Sequence, residues 1–222
     1  MNAPPLTGTE LFRSLRPEKQ ERVFQAAVQE FAVNGYRNAS MNSVVKAAGI
    51  SKGSLFQYFR TKQGLFDGVV EIAASRVRVY LKHVRDETGR MSFFERLEQL
   101  LHAGFSFIDH HHLLARIYFH LLQSGETPSG SERVALLRKQ GVEFVADLIR
   151  VAKARGEVKR SVDVERTAFL INALLETLLR AYYTEFMASG LGLYRGNPEE
   201  LAGWVQTALG LIREGIQRND LD

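Results

Sequence analysis

The chain of 222 residues contains no cysteine, which excludes disulfide bonds, thiolate metal sites and a cysteine nucleophile. It has no apolar run approaching the roughly 18 residues that a membrane-spanning helix needs. Residues 1–9 show neither the basic region nor the apolar segment of a secretory signal. Together these absences predict a cytoplasmic protein with no membrane partner.

Proline is scarce, and the common glycine-containing motifs of enzymes are missing. The five prolines all lie outside the long periodic segments, and this distribution favours long helices. No G-x-G-x-x-G, Walker or Gly-x-Ser-x-Gly pattern is present, so the sequence predicts no catalytic residue and no cofactor. The expectation is a protein that is not an enzyme.

What the sequence does contain is helical periodicity bounded by capping residues. Apolar residues recur every three to four positions, with Pro17, Ser51, Asp163 and Asn197 at expected starts. The pattern predicts an all-α protein of about nine helices. They are expected at about residues 17–35, 40–49, 51–59, 61–89, 91–109, 111–123, 129–155, 163–188 and 198–218.

Positive charge is concentrated at the N-terminal end. Residues 1–66 hold nine Lys and Arg against four acidic residues, a net charge of +5. The other 156 residues have a net charge of −1. A basic module beside a near-neutral body indicates a polyanion partner for the module, although a solvated surface would give the same balance.

Residues 40–59 have the pattern of a helix-turn-helix. Two short helices flank Gly49-Ile50-Ser51, where glycine permits a positive φ and Ile50 can fill the angle between the helices. The second helix would enter the DNA major groove, with the amides after Ser51 and the Lys52 side chain directed at phosphate. A plain helical hairpin is the alternative. It is disfavoured because so short and polar a helix buries little.

The same region closely resembles the N-terminal signature of TetR/AcrR-family transcriptional regulators over residues 17–66. The matching residues are Gly35-Tyr36, Ser40, Val44, 48–56, Tyr58-Phe59, Lys62 and Leu65-Phe66. The resemblance implies a three-helix DNA-binding head at 1–62 and a larger helical body at 63–222 that binds effector and dimerises. It implies a homodimer, a double-stranded DNA operator and a repressor.

DNA-contacting positions follow from the pattern and the resemblance together. Ser40 and Lys62 correspond to phosphate contacts, and Phe56 stands where many family members have tyrosine. The expected DNA-binding residues are Ser40, Asn42, Ser51, Lys52, Gly53, Ser54, Phe56, Gln57, Tyr58 and Lys62.

The body is expected to hold a small hydrophobic or amphipathic effector, because aromatic residues are plentiful there and its net charge is near zero. The candidate effector residues are Phe105, Tyr118, Phe119, His120, Phe144, Asn172, Glu176 and Arg180. Packing in an ordinary core is the alternative for the aromatic residues, and a solvated surface pair is the alternative for Glu176 and Arg180.

Five of the six histidines lie between residues 102 and 120. Neighbouring residues on a helix point about 100° apart, so the run His110–His112 does not converge on one ion, and we predict no metal site. A role for one or two histidines at the edge of an effector pocket and simple surface packing both remain open.

The last two predicted helices carry wide apolar stripes typical of a dimerising four-helix bundle with two helices from each chain. The expected interface residues are Leu178, Tyr182, Trp204, Val205, Ala208, Leu209 and Ile212. Packing within one chain is the alternative. A different function, an effector- or protein-binding helical module without an operator, would require an inactive head.

Overall fold

The computed structural model describes residues 8–124 and 131–217, and within them it contains ten α-helices and no β-strand. This confirms the all-α prediction. The extra helix is α1, whose four residues are too few to produce a periodic pattern. The helices are α1 (Glu10–Arg13), α2 (Pro17–Asn38), α3 (Met41–Ala48), α4 (Lys52–Phe59), α5 (Lys62–Glu87), α6 (Phe93–His110), α7 (His112–Ser124), α8 (Ser131–Arg155), α9 (Val164–Tyr183) and α10 (Pro198–Ile216).

Most helix starts lie where the capping residues predict them. The Ser51 side chain accepts a hydrogen bond from the Ser54 amide at the start of α4, and the Asp163 side chain does the same at α9. Asn197 and Glu200 form a reciprocal capping box at the start of α10. These caps confirm the predicted helix starts. They are predictable from sequence because each depends only on residues within one helical turn.

Two helix ends differ from the prediction. Gly35 (φ 67°, ψ 178°) interrupts α2, but the helix resumes and ends at Asn38. α9 ends at Tyr183, several residues before the predicted position near 188. Beyond it the chain folds back, and the Arg195 amide donates to the Tyr182 carbonyl at 3.1 Å.

The chain divides into two compact units. The first comprises Met1–Val79 and His110–Ala135. In this unit α2 packs against α3 and α7, and its core contains Val23, Phe31, Leu55 and Ile117. α2 thus forms part of the same core as the helix-turn-helix.

The second unit comprises Tyr80–Asp109 and Leu136–Asp222. Its core contains Phe93, Leu97, Ile149, Ala168 and Leu209, contributed by α6, α8, α9 and α10. No helix in the described part of the chain has both the length and the apolar character needed to cross a bilayer.

Candidate nucleic-acid interface

α3 and α4 form a helix-turn-helix through the conformation of Gly49. Its φ of 64° and ψ of 40° lie in the left-handed region, which costs other residues about 1–2 kcal/mol. A Cβ at this position would meet no atom within 4 Å, so the backbone conformation alone requires glycine. The Ile50 amide closes the turn by donating to the Val45 carbonyl at 3.1 Å.

The N-terminus of α4 presents backbone donors to solvent. The Ser51 hydroxyl accepts from the Ser54 amide at 3.1 Å. The amides of Lys52 and Gly53 have no hydrogen-bond partner among the described residues, and both residues are exposed. Two amides, the positive end of the helix dipole and one ammonium group therefore favour an anion at this end.

The outward face of α4 carries three further predicted contacts. Phe56 and Gln57 are exposed and Ser54 is half-buried, so aromatic, amide and hydroxyl groups share this surface. Such groups suit apolar contact with a thymine methyl and hydrogen bonding to base edges.

Tyr58 is not part of this exposed face, which corrects its sequence-based placement. Its side chain is 5% exposed, and its ring lies 5.6 Å from that of Phe12 on α1. The Thr9 amide also donates to the Tyr58 carbonyl at 2.9 Å. Tyr58 shares a helical face with buried Leu55, three residues earlier, so its role here is to pack the first unit.

Ser40 and Lys62 are both engaged in contacts inside the first unit. The Ser40 hydroxyl accepts from the Ser43 amide at 3.3 Å, and the Ser40 amide donates to the Glu30 carboxylate at 2.7 Å. The Lys62 ammonium donates to the Arg37 carbonyl at 3.0 Å and lies 5.0 Å from the centre of the Tyr36 ring. One donor of Lys62 is thus used to hold the end of α2.

Asn42 is exposed on α3, and so is Lys46, which sequence reasoning missed. Lys46 has no ion pair within the described ranges and lies four residues after Asn42, on the same side of the helix. That spacing is the signal that would have found it. Sequence reasoning also missed the residues around α1. They contact α4, because the Thr9 hydroxyl donates to the Gln57 carbonyl at 3.1 Å.

The predicted effector residues are distributed over both compact units. Tyr118, Phe119 and His120 belong to the first unit, where the rings of Tyr118 and Phe119 are 5.8 Å apart. Phe119 is buried and His120 is exposed.

The other five predicted effector residues belong to the second unit, namely Phe105, Phe144, Asn172, Glu176 and Arg180. Phe105 is buried with its ring 4.9 Å from that of Tyr182, whereas Phe144 is half-buried. Glu176 and Arg180 form no ion pair with each other, and the buried Arg180 Nε has no hydrogen-bond partner in the described chain. This N–H can donate a hydrogen bond to a ligand oxygen without losing a protein partner.

The predicted interface residues are mostly used inside the chain. Six of the seven are buried in the single chain: Leu178, Tyr182, Val205, Ala208, Leu209 and Ile212. Trp204 is half-buried, and its indole donates to the Leu191 carbonyl at 3.0 Å. These residues follow the intramolecular alternative, because their side chains already form the core of the second unit. Large apolar side chains on the outward surfaces of α9 and α10 are instead Phe169, Leu170 and Leu211.

The histidine-rich region does not form a metal-binding cluster within the described residues. Burial and then the nearby Arg76 guanidinium lower the pKa of His111. Both effects disfavour the imidazolium form in the folded chain.

Comparisons with known proteins agree with this architecture. The family model described as "Bacterial regulatory proteins, tetR family" matches residues 23–69, from within α2 to the start of α5. The chain is 26% identical over 202 residues to the HTH-type transcriptional regulator YdgC of Bacillus subtilis, with 89% of this chain and 95% of that protein covered.

Two solved structures are also similar. A TetR family transcriptional regulator from Chloroflexus aurantiacus matches with a TM-score of 0.73 at 24% identity, covering 96% of this chain and 100% of that one. The Bacillus subtilis transcriptional regulator FadR, solved in complex with stearoyl-CoA, matches with a TM-score of 0.69 at 17% identity, covering 89% and 99%. These likenesses confirm the predicted fold class.

Proposed function

We propose that the chain is a ligand-responsive repressor of the tetR family of bacterial transcriptional regulators, whose family model matches residues 23–69. In this proposal a homodimer binds a double-stranded DNA operator and leaves it when a hydrophobic or amphipathic small molecule binds. Residues 1–62 bind DNA, and residues 63–222 bind the effector and dimerise. The observation that carries the proposal is the exposed N-terminus of α4, with the free amides of Lys52 and Gly53.

α4 is the proposed recognition helix. Lys52 and the two amides bind phosphate, while Phe56 and Gln57 reach base edges in the major groove. Gly53 lacks a side chain, so the groove wall can approach the helix closely. The spare donors of Lys62 and the Ser40 and Asn42 side chains add contacts to the DNA backbone, and Lys46 joins them.

A dimer suits this surface because two heads can occupy successive major grooves, about 34–36 Å apart or a multiple of that. The exposed Phe169, Leu170 and Leu211 support a contact between copies through the outward surfaces of α9 and α10. Large apolar side chains exposed on a protein surface commonly mark such contacts where they lie together.

The second unit supports an amphipathic effector. It combines an apolar core with a small number of polar groups, among them the buried Arg180 Nε, which has no hydrogen-bond partner in the described chain, and the half-buried Asn172 and Glu176. Stearoyl-CoA, bound by the similar FadR, also joins a long apolar chain to a polar group. Ligand and DNA oppose each other by linkage, with a coupling of about 1–3 kcal/mol in typical cases. α5 begins at the proposed domain boundary and continues unbroken to Glu87, so it belongs to the proposed coupling route.

The test is operator binding by the purified full chain, measured by fluorescence anisotropy with the DNA that flanks its own gene. We expect saturable binding that an unrelated duplex of equal length does not compete away. A native mass spectrum of the same preparation will show whether a small molecule is bound, and its removal should increase operator affinity. Absence of sequence-selective binding after removal would reject the repressor and favour the helical module without an operator.

A further inference from the structure

A cavity of about 590 Å³ lies within the first compact unit, between the C-terminal part of α2 and α7. Ligand pockets in proteins commonly have volumes of about 300–1,000 Å³, so this one has room for a small organic molecule. None of the predicted effector residues of the second unit lines this cavity. Of all the predicted effector residues, its lining includes only His120.

One wall of the cavity is aromatic. Phe31, Tyr36 and Phe66 form a cluster in which the Phe66 ring lies 5.0 Å from Phe31 and 5.2 Å from Tyr36. Ile117 and Leu121 of α7 add aliphatic surface. A wall of three aromatic rings favours an aromatic ligand, because the ligand ring can stack on them or contact them edge to face.

Beside the neutral Asn34 and Asn38, the polar part of the lining is basic. Arg37, Arg116 and His120 line the cavity, and none of the described residues that line it is an aspartate or a glutamate. Arg116 is exposed, and its side chain forms neither an ion pair nor a hydrogen bond with any described residue. A guanidinium without a carboxylate partner, beside an apolar wall, is suited to a carboxylate carried by an apolar molecule.

We infer that this cavity binds a small aromatic carboxylate, with the ring against Phe31, Tyr36 and Phe66 and the carboxylate at Arg116. The occupant would lie beside Gly35, where α2 is interrupted, and so close to the chain that leads into α3. The inference depends on the cavity and its lining alone and is independent of whether the chain binds an operator.

The experiment is calorimetric titration of the full chain with 2-naphthoate, with neutral 2-naphthamide and aliphatic decanoate as comparison probes. Methyl NMR reports the location: the Ile117 methyl should shift, whereas the Ile149 methyl in the core of the second unit should not. We expect 2-naphthoate to bind more tightly than either comparison probe. Equal or tighter binding of the amide or of decanoate would overturn the proposed chemistry, and a shift of Ile149 without Ile117 would overturn the proposed site.

Two surface variants test the lining. Arg116→Ala should weaken 2-naphthoate binding about fivefold, since an exposed charge pair contributes modestly. His112→Ala is the matched control on α7, because His112 is exposed and does not line the cavity. Val33 lines the cavity and is 50% exposed, so Val33→Trp should fill it and abolish binding while the chain stays folded. Unchanged affinity in both Arg116→Ala and Val33→Trp would refute the inference.

Discussion

Leu211→Glu should separate the proposed dimer into folded monomers. Leu211 is 66% exposed on α10, so a carboxylate there stays hydrated in the single chain and changes its stability little. If a partner covers this surface, each copy loses the burial of one leucine, about 1.5–3 kcal/mol. Two copies lose about 3–6 kcal/mol, which weakens dimerisation about 10²–10⁴-fold.

The control is Leu209→Glu on the same helix. Leu209 is 3% exposed, so its replacement places an unpaired carboxylate in the core and should unfold the second unit. Sedimentation velocity measures the oligomeric state, and circular dichroism measures folding. If Leu211→Glu forms a dimer with the same dissociation constant as the wild type, the outward surface of α10 is not part of the interface.

Four further changes test the head and the histidine region. Lys52→Ala should lower the slope of log affinity against log salt by about 0.9 for any DNA sequence, because one phosphate contact is lost; an unchanged slope would contradict it. Gly49→Ala should destabilise the chain by about 1–2 kcal/mol in urea unfolding, because alanine must adopt a φ of 64°. Gly53→Ala should instead stabilise the chain by about 0.5–1 kcal/mol through helix propensity, while weakening DNA binding; a loss of stability would argue against the helical assignment. Burial and Arg76 lower the pKa of His111 from 6.5, so the unfolded chain binds that proton more readily. The stability that this neutral imidazole contributes is therefore present above about pH 6.5 and lost as pH falls through the lower folded pKa. His111→Gln should reduce this pH dependence, and an equal dependence in both proteins would oppose the assignment.

Local signals predicted the fold well. The caps at Ser51 and Asp163 and the left-handed Gly49 each depend on residues within about one helical turn, so their sequence patterns are sufficient. The exposed start of α4 also follows from local composition, because lysine and glycine offer little to bury.

Non-local packing explains where the sequence prediction failed. Tyr58 is covered by Phe12 of α1, and a helix of four residues is too short to produce a periodic apolar pattern. The early end of α9 accompanies a tether in which the Tyr182 hydroxyl lies 2.8 Å from the Asp109 carboxylate, 73 residues away. Arg195 reaches the same carboxylate at 2.9 Å, and no short window of sequence contains all three residues.

The predicted interface residues are untested in a dimer, but six of the seven are buried within the single chain for a related reason. α10 carries apolar residues on more than one face, and periodicity alone does not identify the face that packs inside the chain. The structure places Leu209 inward and Leu211 outward, two residues and about 200° apart on the helix. Only the packing of the second unit distinguishes them.

The most direct test of the central claim is the operator affinity of the wild-type chain beside Lys52→Ala and Gly53→Ala, measured by fluorescence anisotropy with the DNA flanking its own gene. The account predicts that the wild type binds this DNA at least about 10³-fold more tightly than an unrelated duplex. Both variants should remain folded and bind the operator more weakly. Equal affinity of the wild type for both duplexes, or undiminished operator affinity in both variants, would contradict the assignment of α4 as the recognition helix.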